Sequence, residues 1–470
     1  MPFLFCLPSI YNHYVGRYYV ENFGCRATQA DGAAIERQLN ESGMIRAASA
    51  EEAEVVVLNT CTVTSSADQD ARAAIRRIHR HNPQARILVT GCYAQRAPQE
   101  IAALEGVSLV VGNSHKHRLA EIAASGAFLA VESLTAAPAT EAVPPPPAPV
   151  VVEDIFAHTE LMAAPVFDSD NEKTRPNLKV QDGCNNRCSF CVIPFVRGRS
   201  RSLPLGEVLR NVDQLVANGY QELVVSGINL GRWGRDLRSA DHGDPLGRLR
   251  FTDLLKVILE RTSVPLLRIS SVEPMDWSDD LIALAAGSAR IAKHAHVPLQ
   301  SGSDRILRRM ARRYRPWHYE DRIQRIHLAM PQAAIGADVM VGFPGETDDD
   351  FEETRAFIAR LPFTYLHVFT YSSRPGMPSA AMPDQVPVAK ARARNRILRE
   401  LASAKKHEFQ QQFVGGTLRA LTLTQQQNGR TEALTDNYQK LWLEGSLPAN
   451  RMLTARIHSL EGDALLGTAD

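Results

Sequence analysis

Cys184, Cys188 and Cys191 place three thiols within eight residues, a spacing with few chemical uses. A tetrahedral zinc site takes four protein ligands, or three plus an open catalytic position, and its thiols usually come in short pairs. Three thiolates on one loop with no fourth nearby suit three irons of a [4Fe-4S] cluster, leaving one iron open for an exogenous ligand. A partial zinc knuckle and plain burial of three small hydrophobes are the competing readings.

Cys25, Cys61 and Cys92 form a second set. Each follows a strand-like run within a few residues: Tyr18-Tyr19-Val20, Glu54-Val55-Val56-Val57-Leu58 and Arg86-Ile87-Leu88-Val89. Helical faces fill the gaps, one through Ile35 and Leu39 to Gly43, another through Ala71, Ala74, Ile75 and Ile78 to Asn82-Pro83. In an open α/β sheet the carboxyl ends of parallel strands share one edge, where ligands bind. The three thiols therefore converge, and a second three-thiolate cluster is the natural reading. Three unrelated buried cysteines are the alternative.

The loop at Cys184 heads a longer series. After Asn177, six strand-then-helix units are expected, with strands near Leu178, Glu222, Leu266, Ala295, Ile335 and Tyr365, as in a partial (β/α)6 barrel. Chemistry in such barrels sits at the carboxyl ends of the strands. There this chain has Ser226-Gly227-Ile228-Asn229, Ser270-Ser271-Val272-Glu273-Pro274, Gln300-Ser301-Gly302-Ser303 and Gly342-Phe343-Pro344-Gly345-Glu346. Gly227 would let backbone approach a ligand, and Asn229, Ser271 and Gln300 could hydrogen-bond one.

Composition bounds the remaining choices. At 470 residues the chain exceeds a single core, and 44% hydrophobic with 22% charged residues is ordinary globular usage. A net charge of +1 means that nucleic acid would be met through local basic patches. Seven cysteines clustered in motifs read as metal chemistry in a reducing compartment. No apolar run reaches the length of a membrane span, so no membrane association and a cytoplasmic location are expected. Residues 1–16, with Cys6, are an unassigned extension.

The expected organisation is α/β: an open N-terminal α/β sheet domain over 17–132, a linker over 133–170 with Pro144–Pro147 unbroken, the partial barrel over 171–406, and a small antiparallel β-barrel over 407–470. Four short β-like runs mark the last unit, near Leu418, Arg430, Lys440 and Leu453. Basic residues gather at Arg197, Arg199 and Arg201, from Arg305 to Arg315, and at Lys405 and Lys406. They are candidate contacts to a nucleic-acid backbone.

Cys184-Asn185-Asn186-Arg187-Cys188-Ser189-Phe190-Cys191 matches the signature of radical S-adenosylmethionine (SAM) enzymes. With Asn59-Thr60-Cys61-Thr62-Val63-Thr64, Thr90-Gly91-Cys92-Tyr93-Ala94-Gln95, Pro298-Leu299-Gln300-Ser301-Gly302-Ser303-Asp304 and Gly342-Phe343-Pro344-Gly345-Glu346-Thr347, the chain resembles the methylthiotransferase family of those enzymes from about Arg17 to its end. The resemblance implies two [4Fe-4S] clusters, an auxiliary one on Cys25, Cys61 and Cys92 and a radical-generating one on Cys184, Cys188 and Cys191. It also implies SAM beside Phe190, Gly227, Asn229, Ser271 and Gln300, and an RNA-binding barrel of the TRAM type at the C-terminus.

Within that family, the Cys61 segment, Ser270–Pro274 and Leu366-His367-Val368-Phe369 look most like the branch that adds a methylthio group to C2 of N6-threonylcarbamoyladenosine at position 37, next to the tRNA anticodon. The partners implied are a tRNA anticodon loop and an electron donor such as flavodoxin or ferredoxin. The branches acting on isopentenyladenosine or on ribosomal protein S12 are alternatives, and a non-catalytic iron-sulfur redox sensor that binds RNA is another. Thr28 departs from the family pattern, which usually has asparagine there.

Overall fold

A computed structural model describes residues 16–124, 146–158, 161, 174–237 and 249–470. The predicted extension apart from Gly16, Cys6, and most of the predicted linker lie outside them. The chain divides into two compact units, residues 1–62 with 66–155, and residues 63–65 with 156–470.

The first unit is a parallel sheet in the order β2 (Ile45–Arg46), β1 (Arg17–Asn22), β3 (Val55–Thr60), β4 (Arg86–Gly91), β5 (Val107–Gly112), β6 (Val150–Val151). β3 is buried along its whole length, as a central parallel strand covered on both faces must be, and this explains its unbroken apolar run. The helix Ser65–His81 buries Ala71, Ala74, Ile75 and Ile78, and Ile75 and Ile78 join Val56, Leu58, Ile87 and Val89 in one core. Within the stretch read as a linker, Val150–Val151 pairs in parallel with β5 and adds a sixth strand.

In the second unit the parallel strands are β7 (Asn177–Asp182), β9 (Leu223–Gly227), β10 (Leu267–Ile269), β11 (His294–His296), β12 (Ala334–Val341) and β13 (Tyr365–Thr370). Single bridges from Leu267 to Ile291 and from Ser271 to His296 join the β10 sheet to the β11 sheet. A two-residue strand β8 (Arg201–Ser202) runs antiparallel to β7. Helices follow β9, β10, β11, β12 and β13 at Phe251–Arg261, Asp279–Gly287, Pro316–Ala329, Asp348–Arg360 and Val388–Gln411. The partial (β/α)6 barrel is thus the expected one. Trp233, Trp277, Tyr319 and Phe357 fill its core.

The C-terminal barrel is closed, in the order β14 (Thr417–Gln427), β15 (Arg430–Thr435), β16 (Lys440–Glu444), β18 (Ala464–Ala469), β17 (Met452–Glu461). β18 has no counterpart among the four runs expected from sequence, and it closes the barrel by pairing in parallel with β16. Gly467 permits that closure, because a Cβ there would stand 2.3 Å from the Arg456 carbonyl oxygen.

This barrel sits under the amino ends of the parallel strands. Arg419 Nη1 donates to Ala289 O at 2.9 Å, Asn437 Nδ2 to Gln332 O at 3.2 Å, and Gln221 N to Asn450 Oδ1 at 3.1 Å, all at residues just ahead of β11, β12 and β9. At the centre Arg268, 1% exposed, donates to both Glu222 oxygens (2.7 and 3.2 Å) and to the carbonyls of Thr435 and Asp436. Arg175 Nε completes the cluster at 2.7 Å from Glu222 Oε1. Burial alone would raise the Glu222 carboxyl, but the two guanidiniums hold it down at about 2.

Candidate metal centres and cofactor site

Cys25, Cys61 and Cys92 stand just past the carboxyl ends of β1, β3 and β4, which are neighbours in the first unit's sheet. Register makes this automatic: Asn22 pairs with Asn59, and Asn59 with Thr90. The segments approach closely only because two glycines lack a side chain. At Gly24 (φ +105°) a Cβ would lie 2.6 Å from Cys61 Cβ and 2.9 Å from its sulfur, and at Gly91 (φ +98°) one would lie 2.3 Å from Thr60 O. Both φ values lie where L side chains are strained.

Buried polar bonds hold this edge. Asn59 Nδ2 donates to Asn22 Oδ1 at 2.9 Å and to Thr28 O at 2.8 Å. Thr28 Oγ1 is 3.6 Å from Cys25 Sγ, so the residue that departs from the family pattern touches a predicted ligand. Asn113 Nδ2 is 3.6 Å from Cys92 Sγ. Behind Cys61, Thr62 donates to Asp68 at 2.5 Å, and Arg96 donates to Thr62 at 2.8 Å and to Asp68 at 2.9 Å. Asn113 and Arg96 carry no signal in the sequence that would single them out.

In the second unit the loop after β7 brings Cys184, Cys188 and Cys191 together, each half-buried. Gly183 (φ +70°) starts it, and a Cβ there would meet Arg199 O at 2.0 Å. Gln181 Nε2 donates to Asp182 O, Gly183 O and Ser200 Oγ, while its Oε1 accepts from Asn229 N at 2.7 Å. Ser189 is tied to the carbonyls of Met310 and Arg309. Around the sulfurs, Asn186 N lies 3.4 Å and Asn229 Nδ2 3.6 Å from Cys184 Sγ, and Arg312 Nη1 lies 3.3 Å from Cys188 Sγ.

Burial raises the Cys191 thiol to about 12 and also raises Cys184, with the neighbouring Cys188 adding to both. Three crowded thiolates in a desolvated loop need a cationic centre to be charged together. Neither triad is tight enough for one ion. Among the described residues the one group of three donors lying within 4.8 Å of one another is His296, Asp338 and His367, whereas sulfurs around tetrahedral zinc sit about 3.8 Å apart. Three thiols in each set suit three irons of a [4Fe-4S] cluster, with the fourth iron open.

Beside the loop, a cavity of about 290 Å³ is lined by Phe190, Cys191, Ile193, Gln300, Met340 and Phe369. Gln300 has φ +66°, a strained conformation that recurs at binding sites. Gln300 Oε1, Asn229 Oδ1 and Ser226 Oγ are buried with no hydrogen-bond partner. Each such atom costs about 1–3 kcal/mol, and a polar ligand at this edge would offset that cost. Gly227 is close-packed on Gln181, where a Cβ would come within 2.9 Å of Oε1. Ser271 is half-buried, bridged by its backbone to His296.

The basic candidates divide. Arg199 is exposed, but Arg197 (2% exposed) donates to both oxygens of Asp182 at 3.0 Å, and Arg201 is buried in the same cluster. Burial works to raise the Asp182 carboxyl, yet Arg197, Lys179 and Arg201 hold it well below its usual range. Arg197 and Arg201 therefore hold the cysteine loop and do not face a phosphate. Lys405 is half-buried and donates to Leu361 O at 2.7 Å, and Lys406 pairs with Asp463 at 3.2 Å, so both ammoniums serve internal contacts. Arg312, within the basic stretch from Arg305 to Arg315, is buried against Cys188, Glu273 and Tyr314.

Comparison with known proteins bears on both units. Residues 17–112 match the Uncharacterized protein family UPF0004, and residues 178–358 match the Radical SAM superfamily. The threonylcarbamoyladenosine tRNA methylthiotransferase MtaB of Aquifex aeolicus is 36% identical over 93% of this chain and 99% of its own length. That of Bacillus subtilis is 36% identical over 90% and 89%. A tRNA-2-methylthio-N(6)-dimethylallyladenosine synthase of Acidothermus cellulolyticus is 34% identical over 93% and 82%. Among solved structures, the radical S-adenosylmethionine methyltransferase TsrM of Kitasatospora setae shares the fold, with a TM-score of 0.53 at 16% identity over 78% of this chain and 77% of its own.

Proposed function

The chain belongs to the radical SAM methylthiotransferase family, and we propose that it attaches a methylthio group to C2 of N6-threonylcarbamoyladenosine at position 37 of tRNA, next to the anticodon. The observation that carries this reading is the pair of three-thiol edges within one chain, joined to 33–36% identity over 90–95% of the chain with relatives named for that reaction. Aromatic C2 of adenine has no acid-base route to activation, so the cofactors must do the difficult chemistry.

When bound, two [4Fe-4S] clusters and SAM supply the one-electron and sulfur-transfer steps. The chain's residues bind and orient. Cys184, Cys188 and Cys191 would hold one cluster, leaving an iron open, and Cys25, Cys61 and Cys92 the other. Arg312, kept cationic against its burial by Tyr314, Glu273 and Cys188, places a fixed positive charge beside the first. Asn229, Gln300 and Ser226 offer their unused polar atoms to SAM, while Phe190, packed edge-on to Phe343 at 6.3 Å, forms an apolar wall that excludes water.

Of the basic candidates, the exposed Arg199 and Arg313 would be the phosphate contacts. An unpaired anticodon loop lets the base be splayed out, the usual way proteins read RNA. A flavodoxin or ferredoxin would deliver the electron in the cytoplasm. Among the described residues no helix is long and apolar enough to cross a membrane. Mass spectrometry of tRNA nucleosides with and without the gene tests the substrate. Loss of 2-methylthio-N6-threonylcarbamoyladenosine supports it, and selective loss of the methylthio isopentenyladenosine nucleoside would move the assignment to the other tRNA branch.

A further inference from the structure

The partial barrel holds a third donor group that neither cluster uses. His296 on β11, Asp338 on β12 and His367 on β13 lie on neighbouring parallel strands, and Asp338 is in direct register with His367. Their side chains share a face, with all three donor atoms within 4.8 Å of one another. His296 Nε2 lies 3.3 Å and His367 Nδ1 3.2 Å from Asp338 Oδ1. Ligand atoms about 2.1 Å from a shared ion at near-tetrahedral angles sit about 3.4 Å apart, so the two nitrogens already have that spacing from the carboxylate.

The surroundings are built for these groups. His296 is 9% exposed, and its Nε2 is buried without a hydrogen-bond partner. Gly336 leaves room for the Tyr365 ring, whose Cζ would lie 1.9 Å from a Cβ there. That ring stacks on His296 with centroids 6.0 Å apart and flanks His367 at 5.3 Å. Burial works to raise the Asp338 carboxyl, but the two imidazoles hold it well below its usual range. The side of the group at His367 is open, that side chain being 60% exposed.

We propose that His296, Asp338 and His367 form a mononuclear site for a divalent first-row transition ion, zinc or iron in class, with a coordination position open toward solvent. Two imidazoles and one carboxylate match such ions in donor type, and three protein ligands leave room for an exogenous one. None of the three residues belongs to either thiol triad.

The test uses the full chain with its clusters reconstituted anaerobically, titrated with zinc chloride by calorimetry and checked by metal analysis. One zinc per chain beyond the cluster iron is expected, with two imidazoles and no sulfur in the zinc-edge X-ray absorption spectrum. His367→Gln, on the exposed side, and Asp338→Asn should each weaken zinc binding by roughly tenfold or more while iron content stays at the wild-type level. Three results overturn the proposal: a wild-type holoprotein that takes up no zinc, zinc uptake unchanged in His367→Gln, or sulfur scatterers in the spectrum. In the first case the three residues are a hydrogen-bonded cluster only.

Discussion

Replacing Gly24 by alanine should remove one cluster and leave the other. The new methyl would stand 2.6 Å from Cys61 Cβ and 2.9 Å from its sulfur, whereas comfortable carbon-carbon contact begins at about 3.5 Å. A shift of roughly 1 Å is therefore forced on one of the two segments. The backbone at φ +105° adds strain of about 1–3 kcal/mol for a residue with a side chain. Metal ligation tolerates about 0.2 Å, so displacing Cys25 or Cys61 by several times that costs a ligand. Anaerobically reconstituted protein should fall from about eight irons per chain to about four, the content of a single four-iron cluster. Reductive cleavage of SAM should continue, and methylthiolation of tRNA should stop. A Gly24→Ala protein that keeps about eight irons and methylthiolates at the wild-type rate would refute the close approach of these loops as the basis of the site.

Two more perturbations probe the framework. Glu222→Gln should destabilise the joint between the two barrels by about 3 kcal/mol at neutral pH, read as a lower denaturation midpoint: the carboxyl moves from 4.5 to about 2 on folding, and a tenfold change in proton affinity corresponds to about 1.4 kcal/mol. Because the folded value is depressed, that stabilisation is fully present above about pH 4.5 and is lost as pH falls toward 2. A Gln variant whose midpoint matches the wild type at neutral pH would contradict the buried ion cluster. Asn229→Ala should weaken SAM binding about fivefold, the value of one hydrogen bond of about 1 kcal/mol, with iron content unchanged. Calorimetric titration with SAM measures it, and an unaltered dissociation constant would take Asn229 out of the site.

Local signals carried much of the architecture. The cysteine spacing, the buried runs at Val55–Thr60 and Ala334–Val341, and the helical face at Ala71, Ala74, Ile75 and Ile78 all depend on residues near one another in the chain. What stayed hidden depends on distant partners. β18 gains its place by pairing with β16 and β17, and Val150–Val151 follows a proline run that reads as linker. Arg197, Arg201 and Arg312 look like surface cations because sequence gives their charge and not the buried Asp182 and half-buried Glu273 that neutralise it. His296, Asp338 and His367 are scattered over three strands, and only strand register brings them together.

Two clusters with separate duties are the central claim, and paired cysteine variants test it most directly. Purified Cys188→Ala and Cys61→Ala proteins would each be given SAM, a reductant and tRNA bearing N6-threonylcarbamoyladenosine, with 5'-deoxyadenosine and methylthio nucleoside measured in the same reaction. Cys188→Ala should yield neither product, whereas Cys61→Ala should still release 5'-deoxyadenosine but form no methylthio nucleoside. Methylthio nucleoside from the Cys61→Ala protein would contradict the account.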